Sequence, residues 1–469
     1  MDDASVRGVD PVIAHPSVED RAAHGRGARA TAPRSGQFAL DLAADRDALA
    51  LLEAENATRV PDLVPIRYGR MVRSPLAFFR GAATVMAHDL AQQTNTALRA
   101  QLCGDAHLMN FGGFASPERN LVFDLNDFDE TLAGPFEWDV KRLAASVEVA
   151  ARQRGFRSSD GSAAVLGTIR AYREAMGQFA AMGDLDVWYA RLDAQTVVDR
   201  LRNAHDAKLT KTLQRSILKA QANDGRRALA TLTREVDGEP RFVSEPPLIV
   251  PLSELGGDAA EEPIRAAYRS YRRSLPPDRR VLLERFSYGD LALKVVGVGS
   301  VGTRCWVLLM FGRDEGDPLF LQLKEADVSV LEPLLGSSRV ANHGQRVVEG
   351  QRLMQASSDI FLGWVRAEVD GATRDFYVRQ LRDWKVSLDV ETILPDGLAY
   401  YGSACGWTLA RAHARSGDRI AIASYLGAGD RFDRAVAAFA SAYADLNERD
   451  HAALRQAVAD GRIAAREGV

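Results

Sequence analysis

The spacing of apolar residues changes at about residue 291, and this change constrains the possible folds more than any other feature of the sequence. In residues 46–290 apolar side chains recur every three or four positions, as at Leu143 and Val147, which predicts helices. In residues 291–385 short β-branched and apolar runs alternate with glycine-rich and polar turns, which predicts antiparallel strands. The helical spacing returns after residue 386. We therefore expect an α+β fold with a mostly helical large lobe and a small antiparallel-sheet lobe.

Four segments follow from this pattern. Residues 1–45 combine Gly, Pro, Ser, Arg and Asp with little periodicity, which predicts a flexible N-terminal tail. Residues 46–290 are expected to form the helical lobe, and residues 291–385 the sheet lobe. Residues 386–469 then add the helices that complete the large lobe. A chain of 469 residues is long enough for two or three packing units of this kind.

Charge and cysteine content argue against several classes of protein. The net charge of −4 at pH 7, with acidic and basic residues interleaved, argues against a nucleic-acid partner. The three cysteines lie far apart, so we expect neither a disulfide framework nor a zinc ribbon. No apolar run approaches the roughly 20 residues of a membrane span, and the start of the chain lacks the apolar core of a signal peptide. We expect a cytoplasmic protein without a membrane partner, and the sequence does not indicate its oligomeric state.

Residues 103–130 contain two acidic loops that flank a short apolar strand. Asp105 and Asn110 are five residues apart, the spacing of a phosphoryl-transfer catalytic loop, and Asp127 and Asp129 follow the strand. We expect Asp105 to orient a substrate hydroxyl and to accept its proton. The alternative is a turn or N-cap aspartate.

The same loops offer the oxygen ligands that Mg²⁺ prefers, and the candidate ligands are Asn110, Asp127 and Asp129. The four acids of residues 124–130 would repel one another without a counter-ion, which favours a bound cation. His107 is a candidate catalytic residue, with a hydrogen-bonded turn residue as the alternative.

Two neighbouring charged residues are expected to support these loops. Asp139 would accept hydrogen bonds from the backbone of the Asp105 loop. Arg80 would form a structural ion pair, with a contact to a phosphate as the alternative.

A glycine-rich turn at residues 297–302 fits two different phosphate-binding patterns. Gly297, Gly299 and Gly302 match the dinucleotide fingerprint, which requires a helix directly after the glycines. Residues 303–311 suit a strand instead, so we favour a hairpin that covers phosphates, with Ser300 in the same loop. A purely structural glycine hairpin and a dinucleotide-binding turn are the alternatives.

The next strand ends at Lys324, which alternation places on one face with Phe320 and Gln322. Lys324 is expected to neutralise nucleotide phosphates, with a solvated strand-end lysine as the alternative. Glu349, on the following helix, is its expected partner.

These parts resemble the protein-kinase and aminoglycoside-phosphotransferase superfamily. Residues 104–110 resemble the G-D-x-H-x-x-N loop of its small-molecule branch, and residues 127–139 resemble the metal-binding segment that follows. The resemblance implies ATP and Mg²⁺ as cofactors. It also implies that the strand containing Gln380 leads into the nucleotide-binding hinge. Because the catalytic loop precedes the glycine hairpin, the resemblance implies a circularly permuted kinase-like fold.

From about residue 20 to residue 455 the sequence also resembles a bacterial family known as domain of unknown function 2252. That resemblance implies no activity. It rests on stretches at residues 67–71, 74–83, 134–139, 378–381 and 443–445.

The leading hypothesis is an ATP- and Mg²⁺-dependent phosphotransferase that transfers a phosphoryl group to a hydroxyl of an unknown small molecule or protein. The alternatives are a non-catalytic nucleotide-binding module and a metal-dependent phosphoesterase.

Overall fold

The computed structural model describes residues 15–193, 211, 214–215, 217–218, 225–255, 261–295, 297–381, 384, 386–387 and 389–468. The helices of the described residues are α1 (Val18–Thr31), α2 (Ala48–Glu55), α3 (Val64–Met71), α4 (Pro75–Gly81), α5 (Ala83–Ala91), α6 (Glu137–Gln153), α7 (Ser158–Ala181), α8 (Asp184–Tyr189), α9 (Gly225–Leu232), α10 (Glu261–Ser274), α11 (Pro277–Leu283), α12 (Glu332–Leu335), α13 (His343–Met354), α14 (Pro395–Ser416), α15 (Arg419–Leu426) and α16 (Arg431–Ala459).

The strands of the same residues are β1 (Arg99–Leu102), β2 (Phe111–Ala115), β3 (Leu121–Leu125), β4 (Leu132–Pro135), β5 (Leu192–Asp193), β6 (Thr233–Val236), β7 (Glu239–Phe242), β8 (Ile249–Pro251), β9 (Ser287–Lys294), β10 (Cys305–Phe311), β11 (Pro318–Ala326), β12 (Gly363–Val369), β13 (Ala372–Gln380) and β14 (Val386–Ser387). The fold is mixed α+β with antiparallel sheets, as the sequence predicts. Across the described ranges, every helix is too short or too polar to cross a bilayer.

The largest sheet has six strands in the order β12-β13-β11-β10-β9-β8, and all neighbouring strands are antiparallel. Its strands β10 to β13 come from the predicted sheet lobe, and α13 lies between β11 and β12 in the chain. The predicted boundary at residue 291 falls inside β9, and β8 precedes it by some 40 residues. The large sheet therefore begins earlier in the chain than the apolar pattern indicates.

The two faces of this sheet are covered by different helices. Leu319 and Leu321 of β11 pack with Tyr271 of α10, whereas Phe320 packs on the opposite face with Ala228 of α9. The predicted alternation along β11 is confirmed. The polar side chains Gln322 and Lys324 consequently share the face of Phe320.

A separate hydrophobic core joins α6, α7, α14 and α16. Phe136 stacks on Tyr172 within it, at a ring separation of 6.1 Å. This core also contains Phe128, which lies between the two acids Asp127 and Asp129 of the second acidic loop. The loop is thus fixed to the helical part of the molecule by its apolar residue.

The predicted flexible tail is wrong for the part of residues 1–45 that the structure describes, because α1 packs against α15. Ser17 and Asp20 form a reciprocal capping box at the start of α1. A Cβ at Gly25 would lie 1.9 Å from the carbonyl oxygen of Ala421, so only glycine permits this close approach. The helix escapes sequence analysis because it buries a glycine rather than an apolar stripe. Residues 1–14 lie outside the described ranges.

Candidate functional site

The loop that contains Asp105 is fixed from behind by α6. Asp139, in the first turn of α6, accepts hydrogen bonds from the backbone N–H groups of Cys103 at 2.8 Å and Gly104 at 3.1 Å. Gly104 has φ +83°, and a Cβ there would lie 2.4 Å from the carbonyl oxygen of Glu130. The predicted anchoring role of Asp139 is confirmed, and only glycine fits at position 104.

Asp105 is held by a buried arginine that the sequence did not reveal. The Nε of Arg142 donates to Asp105 Oδ1 at 2.5 Å, while its Nη2 donates to the carbonyl of Phe79 at 2.9 Å. Asp105 does not cap the short helix that follows, because His107 occupies the N-cap position. The N-cap alternative for Asp105 is therefore wrong, and its carboxylate is held in one orientation by Arg142.

His107 has the geometry of a hydrogen-bonded turn residue. Its Nδ1 accepts from the backbone N–H of Met109 at 3.1 Å, and its Nε2 lies 3.6 Å from Asp105 Oδ2. Burial lowers the pKa of His107 to about 4, with the Asp105 carboxylate opposing that shift. The imidazole is neutral near pH 7, and its hydrogen lies on the nitrogen that faces Asp105.

Asn110 joins the two acidic loops. Its side-chain Nδ2 donates to the carbonyl of Asp105 at 2.7 Å, and its own carbonyl accepts from the N–H of Asn126 at 2.8 Å. Strands β2 and β3 form the hairpin between the loops, with Phe111 opposite Leu125. Because Nδ2 donates to the Asp105 carbonyl, Oδ1 is the side-chain atom of Asn110 that would bind a metal ion.

Lys324 connects the large sheet to the second acidic loop. Its Nζ donates to Asp129 Oδ2 and lies 3.9 Å from Asp127 Oδ1. Burial opposes the charge of Lys324, but the carboxylates of Asp127 and Asp129 outweigh it and raise its pKa. Its side chain is 2% exposed, so the solvated strand-end alternative is wrong. The hydroxyl of Tyr377, on the neighbouring strand β13, donates to Asp129 Oδ1 at 2.8 Å.

Glu349 is not the partner of Lys324. It lies on the exposed side of α13 and accepts from Gln345 Nε2 at 2.6 Å. The buried side of α13 instead presents Arg346, which donates to the carbonyl of Thr131 at 2.9 Å. The prediction failed because the rotational phase of α13 turns position 349 away from β11, so Asp129 takes the expected place of Glu349.

Strand β13 also contributes Arg379, which reaches the acidic loops. Its Nη1 donates to the carbonyl of Asn126 at 3.0 Å, and its Nε donates to Gln322 Oε1 at 3.0 Å. Gln380 is the next residue, and its backbone N–H donates to the carboxylate of Asp359. Gln380 is thus at the end of β13, one residue beyond the site, and its predicted nucleotide contact stays a prediction.

The glycine-rich turn connects β9 to β10, so the alternative of a dinucleotide-binding turn with a following helix is wrong. Gly297 and Gly302 adopt φ +72° and +94°, conformations that favour glycine. The carbonyl of Ser300 accepts from both the N–H of Thr303, at 3.2 Å, and its hydroxyl, at 2.8 Å. The hairpin geometry is compatible with both remaining alternatives, a hairpin that covers phosphates and a purely structural glycine hairpin.

Residues before α4 hold this turn in place. Arg59 donates to the carbonyl of Val301 at 2.6 Å, Arg70 donates to that of Gly297 at 2.5 Å, and the N–H of Val60 donates to that of Gly302 at 2.8 Å. The side chain of Val301 is fully buried in a small cluster formed with α3. The turn is therefore bound to the helical part of the molecule.

Gly299 brings the turn close to Arg80. A Cβ at Gly299 would lie 3.1 Å from the carbonyl oxygen of Arg80. The guanidinium of Arg80 interacts electrostatically with Asp105 and Asp127, and its Nε is buried without a hydrogen-bond partner in the described part of the chain. Arg80 therefore adjoins both the glycine turn and the acidic loops.

The acids of residues 124–130 do not share one cation. Asp124 pairs with Arg411 in the helical core, and the backbone N–H of Ala356 donates to it at 3.0 Å. Glu130 accepts from the N–H of Val330 at 2.8 Å, and burial raises its pKa to about 7. Separate partners thus relieve the repulsion at Asp124 and Glu130, whereas Asp127 and Asp129 share Lys324. The predicted cation at the acidic loops stays a prediction.

Two of the three predicted metal ligands fit a magnesium ion. Asn110 and Asp127 lie on adjoining loops and offer oxygen atoms. Both carboxylate oxygens of Asp129 are already used, by Lys324 and Tyr377. Within the described ranges, no three His, Cys, Asp or Glu side chains converge as a metal cage. A hard cation here would take ligands from Asn110, Asp127 and a phosphate rather than from protein alone.

The fold and this geometry define a mixed α+β protein in which an antiparallel sheet and a helical core meet at a cluster of acids, arginines and one buried lysine. The chain belongs to the bacterial family described as "uncharacterized protein conserved in bacteria", DUF2252, which matches residues 59–457. The match covers both halves of the site. No curated protein and no solved structure matches the chain.

Proposed function

We propose that the protein is an ATP- and Mg²⁺-dependent phosphotransferase of the kinase-like type, acting on a hydroxyl group. The observation that carries the proposal is the 3.9 Å between Lys324 Nζ and Asp127 Oδ1. Lys324 belongs to the sheet that contains the glycine turn, and Asp127 belongs to the loops that contain Asp105 and Asn110. A phosphate-neutralising lysine and the metal-binding acid of a phosphotransferase must share one site in this way.

The order of parts in the sheet supports a kinase-like nucleotide lobe. The hairpin β9–β10 carries the glycine turn, the next strand β11 carries Lys324, and α13 follows before β12 and β13. This is the arrangement in which kinases place their glycine loop, third-strand lysine and following helix. Two hydrophobic clusters support two lobes. One joins α6, α7, α14 and α16 and also includes Ala326 and Tyr377 of the sheet, and the other lies on the sheet face that α10 covers. Because the loop of Asp105 precedes the sheet in sequence, the proposed fold is circularly permuted.

The side chains have the following proposed roles. Asp105, oriented by Arg142, positions the acceptor hydroxyl and takes its proton as the phosphoryl group is transferred. Lys324 exchanges its contact with Asp129 for a phosphate oxygen of the nucleotide. Asn110 and Asp127 hold Mg²⁺, which would neutralise charge on the phosphates. Positioning and charge neutralisation supply most of the rate in such transfers.

A non-catalytic nucleotide-binding module is the second candidate. The observation that favours it is the position of Glu349, which leaves Lys324 without the helix glutamate that active kinases use. A metal-dependent phosphoesterase has less support, because the described residues offer no group of three metal-binding side chains.

Calorimetric titration of Mg·ATP tests the proposal. The wild-type protein should bind, and binding should weaken when EDTA removes Mg²⁺ or when Asp127→Asn removes a ligand. Asp105→Asn should bind like the wild type but lose ATP turnover. No binding to folded protein at millimolar Mg·ATP would refute both nucleotide hypotheses. Mg·ATP binding without turnover in either protein would favour the non-catalytic module, and equal turnover in both proteins would refute the proposed role of Asp105.

A further inference from the structure

The side chains that line the candidate site carry more positive than negative charge. The carboxylates are Asp105, Asp127 and Asp129. The cations that interact with them are Arg80, Arg142, Lys324 and Arg379. His107 is neutral near pH 7. Four cations therefore face three carboxylates, and a bound Mg²⁺ would increase the excess. This excess of positive charge around the three carboxylates favours an anionic ligand.

Within the described ranges, Arg80 interacts with the acids only electrostatically, and its Nε is a donor without a hydrogen bond. Arg142 is bound to Asp105, Lys324 to Asp129, and Arg379 to the carbonyl of Asn126. The Nε of Arg80 is buried yet has no hydrogen-bond partner in the described part of the chain. Leaving a buried charged donor unpaired costs free energy, so the arrangement favours a ligand that accepts from Arg80.

The position of Arg80 near the glycine turn suits a phosphate ligand, since that turn is proposed to cover phosphates. The carbonyl oxygen of Arg80 would lie 3.1 Å from a Cβ at Gly299, and its guanidinium interacts electrostatically with Asp105 and Asp127. Burial lowers the pKa of Arg80 and those two carboxylates oppose the shift. Arg80 therefore adjoins the proposed phosphate cover, the proposed base and a proposed metal ligand.

A second unpaired donor belongs to Asn126, the residue before Asp127. The side-chain Nδ2 of Asn126 is buried without a hydrogen-bond partner among the described residues. Asn126 precedes Asp127, and its backbone is held by Asn110 and Arg379. One of these buried donors interacts with Asp127 and the other belongs to the preceding residue, so together they favour an acceptor-rich ligand near Asp127.

We propose that Arg80 binds a phosphoryl group in this site, with the amide of Asn126 as a second donor. The inference rests on the proposed function and deepens it, because neither residue belongs to the kinase-like motifs. The phosphoryl group has two possible sources, the terminal phosphate of the nucleotide and a phosphate carried by the acceptor. Both present the same oxygen atoms to a guanidinium.

The test compares Arg80→Gln, Arg80→Lys and the control Arg73→Gln, which removes the same charge from an exposed position on the neighbouring turn. Inorganic phosphate is titrated into each variant, and binding is followed by calorimetry. We expect Arg80→Gln to bind phosphate about tenfold more weakly than the wild type or worse. Arg80→Lys should recover part of the affinity, and Arg73→Gln should behave as wild type.

A nucleotide arm distinguishes the two sources. If Arg80 binds the terminal phosphate, Arg80→Gln loses the wild-type preference for a non-hydrolysable Mg·ATP analogue over Mg·ADP. If Arg80 binds an acceptor phosphate, that preference is retained, and the variant instead loses inorganic phosphate binding in the presence of Mg·ADP. Either result supports a phosphoryl-binding role.

Phosphate and nucleotide affinities equal to wild type in folded Arg80→Gln would overturn the inference. Circular dichroism and thermal unfolding establish that each variant is folded. Failure of the proposed function would look different, because the wild type itself would then bind no nucleotide. In that event a difference in phosphate affinity between wild type and Arg80→Gln would still support Arg80 as the phosphoryl ligand, and equal affinities would refute it.

Discussion

The ammonium of Lys324 contacts the carboxylate of Asp129 across 195 residues of sequence. The contact joins strand β11 of the large sheet to the loop that follows the β2–β3 hairpin. Tyr377 donates to the other oxygen of the same carboxylate at 2.8 Å. Since a site requires neighbours in space rather than in sequence, the early position of the Asp105 loop is compatible with one shared cleft.

Replacing Lys324 alone should destabilise the protein more than replacing Lys324 and Asp129 together. Lys324→Met leaves Asp129 charged and partly buried, since its side chain is 26% exposed. We expect a loss of about 3 kcal/mol in the free energy of unfolding, the lower end for a broken buried pair. The double variant Lys324→Met with Asp129→Asn should recover at least 1 kcal/mol of that loss, roughly the energy of a coupled pair.

Urea unfolding of the four proteins in this cycle gives the coupling energy. Lys324→Arg is the matched control, because it keeps the positive charge and changes only the geometry of the contact with Asp129. Additive effects of the two substitutions would show that the contact contributes no specific interaction energy.

His107 should make the stability of the protein depend on pH in a defined direction. Its pKa is lowered to about 4 by burial from an ordinary value of 6.5. Between these values the unfolded chain binds a proton that the folded protein does not, so stability is complete above pH 6.5 and decreases as pH falls to 4. The expected loss is about 3 kcal/mol for this buried group. His107→Asn keeps an N-cap acceptor without the titration.

The measurement is the difference in unfolding free energy between wild type and His107→Asn at pH values from 4 to 7. The unfolding free energy of the wild type minus that of His107→Asn should decrease towards low pH. If it stays constant, the imidazole titrates normally and is not buried as described.

Glu130 should act in the opposite direction. Burial raises its pKa to about 7 from an ordinary value of 4.5, and Arg346 and the N–H of Val330 oppose that shift. The folded protein therefore binds a proton that the unfolded chain releases, so stability is complete below pH 4.5 and decreases as pH rises to 7. Because Glu130 is only half-buried, we expect a loss of about 2 kcal/mol.

Wild-type unfolding alone would hide both effects, since they oppose each other between pH 4.5 and 6.5. Comparison of wild type with Glu130→Gln isolates the second one. The wild-type protein should lose stability relative to Glu130→Gln as pH rises. If it gains stability relative to the variant instead, the pKa of Glu130 is not raised.

Local patterns in the sequence predict the elements well. The alternation along β11, the hairpin around the glycine turn and the helix after Lys324 depend on neighbours within a few residues. The anchoring role of Asp139 could be assigned because its partners Cys103 and Gly104 directly precede the acidic loop of Asp105. The strand, the hairpin and the helix follow from periodicity or from turn requirements in the sequence, whereas Asp139 is assigned from its place in the acidic motif.

The partners of the site could not be predicted, because they depend on how distant segments pack. Arg142 reaches Asp105 from the buried side of α6, and Tyr377 reaches Asp129 from β13. The phase of α13 was the main error. Gly350 gave the missing signal, since a Cβ there would lie 2.5 Å from Thr131 and so marks the buried side of α13. Glu349 is exposed and does not lie on that buried side.

The two glycines with left-handed backbone in the turn should differ in how they tolerate alanine. Gly297 has φ +72° and its nearest neighbour lies 3.7 Å from a built Cβ, whereas Gly302 has φ +94° and a Cβ there would lie 3.0 Å from the Cβ of Arg59. Gly297→Ala should cost only backbone strain, about 1 kcal/mol. Gly302→Ala should cost roughly 2 kcal/mol or more, because it adds displacement of Arg59 to the strain.

Displacement of Arg59 also has a functional consequence, since Arg59 donates to the carbonyl of Val301 and holds the turn against α3. Gly302→Ala should therefore weaken Mg·ATP binding more than Gly297→Ala does, when both are compared by urea unfolding and calorimetry. Equal losses of stability with equal affinities would mean that the turn is not positioned by Arg59. A loss of affinity in Gly297→Ala alone would place the phosphate contact at the first glycine of the turn instead.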